Sequence, residues 1–167
     1  QDRERNQLAR VLAIRFAEAC GFGAAASTML LAIALDLAEP LEVRHQAVIV
    51  IRDRGDREAR RGLRSLAIAS DETDERDDLK GEALRALWPA ELTSRELFES
   101  LTPQRDETYL GAYEVFLGWE LPRSFTRAAM PDALAWVICQ QPLQVSDYNI
   151  VSRLIEATLR FALAHLD

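Results

Sequence analysis

Apolar residues recur along this chain at helical spacing. Over residues 4–20, Leu8, Val11, Leu12, Phe16 and Ala19 share one face, and Gly21 follows as a stop. Residues 25–38 are apolar nearly all round, through Met29, Leu30, Leu31, Ile33, Leu35 and Leu37. That pattern predicts a helix buried between others, closed by Pro40. The segment Val48-Ile49-Val50-Ile51 is the ambiguous one, because β-branched residues favour strand. Helical spacing over 41–53 nevertheless aligns Val43, Ala47, Val50 and Ile51, and the chain offers no second strand to pair with. Helix is therefore expected there, with packing outweighing propensity.

Gly55-Asp56 reads as a turn. The next segment, Arg57 to Ala69, is amphipathic: Ala59, Leu63, Leu66 and Ala67 lie on one face, and Arg57, Arg60, Arg61 and Arg64 on the other. An acidic stretch, Ser70 to Asp78, follows with six carboxylates against the single Arg76 and reads as a solvated, mobile connector. Beyond it the earlier pattern returns. Lys80, Ala83, Leu84 and Leu87 stand 36 residues after Arg44, Ala47, Val48 and Ile51, and Pro89 ends the helix. Thr93-Ser94-Arg95-Glu96 is a capping box for a short helix carrying Leu97, Phe98 and Leu101. A looser third copy spans Tyr109 to Trp119, stopping before Pro122. Two further helices are expected, over 131–141 with Pro131 in its first turn and from Asp147 onward after Ser146.

Repetition at such a spacing signals stacked helix pairs, each covering its neighbour's apolar face. The expected fold is all-α: antiparallel helix pairs stacked as an α-solenoid, in one domain over residues 1–167.

Composition narrows the function. The 167 residues carry a net charge of −7, with pI about 5.0, so attraction of the whole surface to nucleic acid or anionic membrane is disfavoured. The longest apolar run, Met29 to Leu35, is far short of the ~18 residues of a membrane span. Cys20 and Cys139 are distant in sequence, no Cys-x-x-Cys occurs, and His45 and His165 are the only histidines. Neither a disulfide framework nor a zinc site is expected, and a reducing, cytoplasmic setting is. The charged first residues do not read as a signal peptide. A first residue other than Met, and a last helical pattern with no stop, read as a fragment of a larger chain. In that last helix Ile150, Leu154, Ile155, Phe161 and Leu166 form an apolar stripe, which predicts an uncovered end face able to hold a second copy.

The segment from Pro40 to Leu66 carries Val43-Arg44, Ala47, Val48 and Ile51, then the Gly55-Asp56 turn, then Ala59, Leu63 and Leu66. In that order these residues resemble a HEAT repeat. The segments "AIRFAEACG", "DDLKGEALRALWPAELTSRELFESLTP" and "YLGAYEVFL" resemble the helical-repeat region of large bacterial NACHT-type signalling ATPases of the STAND class. The resemblance implies a repeat region that senses a trigger or holds an ATPase inactive, in a class with many members in defence against phage. It carries architecture alone: the family's ATP-binding motifs belong to another domain, and no residue here matches them.

No phosphate loop, nucleophile elbow or His-Glu-x-x-His occurs; Lys80 lacks a glycine loop before it. No catalytic residue, metal site or cofactor is expected. Cys20 and Cys139 read as small core residues, and Trp88, Trp119 and Trp136 as packing between repeats. The acidic connector lacks the glycine and terminal Glu of an EF-hand. Arg57, Arg60, Arg61 and Arg64 are the candidate partner-docking surface; the plainer reading is a solvated face paired with the acidic connector. The expected function is a non-catalytic scaffold that binds other domains of its parent chain or a protein partner. The alternatives are a HEAT-like DNA glycosylase, which would want a basic groove, and a freestanding adaptor.

Overall fold

The computed structural model describes residues 2–21, 23–69, 71–106, 109–140 and 150–165, without the side chains of residues 2–5 and Cys20. The regular elements among them are all helical: α1 (Asp2–Cys20), α2 (Ala24–Leu35), α3 (Leu41–Arg54), α4 (Arg57–Gly62), α5 (Arg64–Ile68), α6 (Asp78–Leu87), α7 (Ser94–Ser100), α8 (Ala112–Val115), α9 (Leu121–Arg123), α10 (Met130–Cys139) and α11 (Ile150–Ala164). A π turn, Phe116–Glu120, joins α8 to α9, and a 3-10 turn, Arg127–Ala129, leads into α10.

The β-branched segment is helix. Val48, Val50 and Ile51 lie in the middle of α3 and are fully buried. Burial decides against propensity: each such side chain is worth about 1.5–3 kcal/mol when withdrawn from water, more than the whole range of β propensities. α3 packs on α1 and α2 to one side and on α6 to the other, and α6 packs on α8. In a second row α5 packs on α7 and α7 on α10, while α11 lies against α10 and the π turn. Gly81 fixes the closest approach. A Cβ there would sit 2.5 Å from the Ala112 carbonyl carbon and closer still to the Tyr113 nitrogen. α6 can therefore meet the backbone of α8 only without a side chain at this position.

The structure corrects several boundaries and faces. Helical backbone continues through Pro122 instead of stopping before it. Proline has no N–H to donate back along the helix, and the widened turn lies just before it, with the Leu121 N–H bonded to the Phe116 carbonyl. The amphipathic helix after Gly55 is interrupted at Leu63, yet Ala59, Leu63, Leu66 and Ala67 are all buried as its spacing predicts. α2 is not enclosed: only Ser27, Leu30 and Ala34 are buried in it, and Met29 is exposed. α1 turns Ile14 inward but leaves Leu8, Leu12 and Phe16 exposed. The stripe on α11 faces the interior instead, burying Ile150, Leu154 and Ile155, with Phe161 partly buried against the same core. Leu166, the Cys20 side chain and the expected helix start at Ser146 and Asp147 lie outside the described residues.

Candidate functional site

The arginine stripe occupies α4 and the first residue of α5. Asp56 caps α4, accepting the Ala59 N–H at 2.8 Å, and so sets the direction in which the stripe leaves the turn. Its carboxylate partners come from the following helix pair. Arg57 and Arg61 donate through Nε to the two oxygens of Glu91. Arg64 pairs with Glu96. Glu96 also completes the capping box of α7, accepting the Thr93 N–H at 3.0 Å, so one carboxylate starts α7 and joins it to α5. Hydrogen bonds from Arg61 and Arg57 hold the Glu91 carboxyl below its usual value; the Thr93 backbone and then Arg64 do so for Glu96. Arg60 has no carboxylate partner among the described residues, and its Nε is buried without an acceptor.

The acidic connector does not serve the stripe, and it is neither fully solvated nor free. Asp71 accepts from Arg44 at 2.6 Å and from the Thr73 hydroxyl at 2.6 Å. Burial pushes the Asp71 carboxyl up, but the bonds from Thr73 and Arg44 outweigh it and leave it lowered. Asp74 and Asp77 are buried. Asp74 accepts the Lys80 N–H at 3.0 Å, its other oxygen has no partner, and burial holds its carboxyl above the usual range. Asp77 accepts the Arg105 N–H at 2.9 Å, and Asp78 that of Ala112 at 2.9 Å. Among the described residues no group of three or more His, Cys, Asp or Glu is placed to hold a metal ion.

Sequence reasoning missed two buried cations that stand 36 residues apart. Arg44, in α3, donates to the Ala34 carbonyl at 3.0 Å, to Thr73 and to Asp71. Lys80, in α6, donates to the Ser100 carbonyl at 2.7 Å and the Thr102 hydroxyl at 2.8 Å. Burial lowers the Lys80 ammonium. Each cation thus holds the connector that leaves its own helix pair. The available signal was a cation at the same offset before two matching sets of apolar positions, Ala47, Val48 and Ile51 and Ala83, Leu84 and Leu87.

The tryptophans divide. Trp136 is buried against Phe98, with ring centroids 5.9 Å apart. Trp88 donates to the Ser124 hydroxyl at 2.6 Å, and Trp119 lies under the Arg153 guanidinium. Cys139 is exposed, contrary to its expected place in the core, because α10 turns Met130, Ala133, Trp136 and Val137 inward. It borders a groove of about 350 Å³ between α7 and α10, floored by Phe98 and Trp136.

Compared with known protein families, curated proteins and solved structures, the chain matches none.

Proposed function

We propose that this chain is a non-catalytic helical-repeat scaffold, HEAT-like in its stacking, that binds other domains of a parent chain or a protein partner. The observation that supports this reading most is the pair of buried cations, Arg44 and Lys80. Set 36 residues apart, they perform the same task in successive helix pairs. Ion pairs between neighbouring pairs add to it: Arg52 with Glu82, and Arg85 with Glu120. A stack built this way offers extended side surfaces, which is how helical repeats bind partners.

The same reading makes the chain a sensor or autoinhibitory region of a NACHT/STAND-type ATPase, on the resemblance of its repeat segments. Cross-linking of the protein in its native cell, with the linked peptides sequenced, tests the scaffold role. Cross-links from α4 to α7 into another domain or one protein partner are expected. Excision of bases from duplex DNA by the purified chain would overturn the reading in favour of the glycosylase alternative.

A further inference from the structure

Two of the three arginines of α4 share a single carboxylate from the next helix pair. Glu91 takes one Nε–H from Arg57 and one from Arg61, and among the described residues no hydrogen bond reaches the terminal nitrogens of either. Their side chains are 70% and 59% exposed, so these terminal groups are open to solvent. Arg60, within the same turn, has no carboxylate at all among the described residues. Two guanidinium groups pinned to one carboxylate have already lost much of their rotamer freedom, which lowers the cost of binding a further anion.

We propose that Arg57 and Arg61, held by Glu91 and flanked by Arg60, form a receptor for the carboxylates of an acidic protein segment. This rests on the scaffold reading and names its partner's chemistry. Guanidinium forks bind carboxylates through paired N–H donors, and the terminal nitrogens supply them. Four of the six carboxylates of the chain's own connector, Asp71, Asp74, Asp77 and Asp78, are already committed to Arg44, Lys80, Arg105 and Ala112. A continuous phosphate backbone fits poorly: the chain carries −7 overall, and exposed Glu58 and Asp56 flank the arginines.

The test is fluorescence anisotropy of a labelled hexaglutamate peptide with the whole chain at low and at physiological salt. Binding that weakens as salt rises is expected. The variant Arg57→Gln with Arg61→Gln should bind at least about tenfold more weakly, as befits the loss of two charged donors. A control with the same charge change, Arg95→Gln with Arg160→Gln, should stay within about twofold, since a site differs from diffuse attraction. Equal losses in both variants, no binding to the folded chain at low salt, or tighter binding of a single-stranded oligonucleotide of equal charge would each overturn the proposal. If the glutamine variant loses its helical spectrum, Arg57→Lys with Arg61→Lys carries the same test. It keeps the charge but loses the fork, and unchanged affinity would overturn the proposal. Failure here leaves the scaffold reading standing if cross-links reach a partner through other faces.

Discussion

Among single residues, the buried charges carry the sharpest expectations. Replacing Arg44 by Met removes the side-chain donor of the Ala34 carbonyl and one of the donors of the Asp71 carboxylate. The loss of such bonds should cost on the order of 3 kcal/mol in urea unfolding. A loss below about 1 kcal/mol would show that the connector holds without it. Asp74 governs a pH dependence. Its folded-state carboxyl lies above the ordinary 3.8, so the native state holds the proton more tightly than the unfolded chain does. Its contribution is therefore complete below pH 3.8 and is lost as pH rises through the folded value. Asp74→Asn removes that dependence, so its stability relative to the natural protein should improve from about pH 4 towards neutrality. A difference that stays flat with pH would refute this assignment. None of this was legible in sequence, where Asp71 to Asp78 looks like a solvated charge run; burial of two of its members depends on Arg105 and α6 arriving from elsewhere.

At the scale of elements, local chemistry was readable and long-range facing was not. The capping box at Thr93, the Gly55-Asp56 turn and the Gly21 stop all rest on residues adjacent in sequence, and each stands as its pattern predicts. Which half of a wide apolar stripe turns inward depends on the neighbour, and so α1, α2 and α11 differ from expectation. Thr93→Ala should cost about 1 kcal/mol, because the hydroxyl that accepts the Glu96 N–H is lost while the Thr93 N–H can still reach the Glu96 carboxylate. Gly81→Ala tests the close approach. In an open helix alanine would stabilise by up to about 1 kcal/mol, but here the new methyl meets backbone atoms of Ala112 and Tyr113 in α8. Net destabilisation of about 1–3 kcal/mol is expected, as for overpacking. A thermal midpoint raised by the change would show that the two helices can separate freely.

For the whole molecule, the all-helical class was legible from the helical spacing along the chain, whereas the faces left exposed were not. The C-terminal stripe expected to be uncovered lies against α10 and the π turn. A row of exposed apolar residues also lies on the first helix, where Leu8, Leu12 and Phe16 are 60%, 55% and 73% exposed along one side of α1. Three large side chains in an i, i+4, i+8 row make a contiguous apolar strip, and strips of this kind favour association. Concentration-dependent self-association through α1 is therefore expected in light scattering. Leu12→Glu with Phe16→Glu should suppress it while leaving unfolding stability within about 0.5 kcal/mol, because both side chains are already in water. Leu159→Glu with Leu163→Glu, exposed on α11, should leave the association intact. A natural protein that stays monomeric at every concentration, or association that survives the α1 changes, would remove α1 from this role.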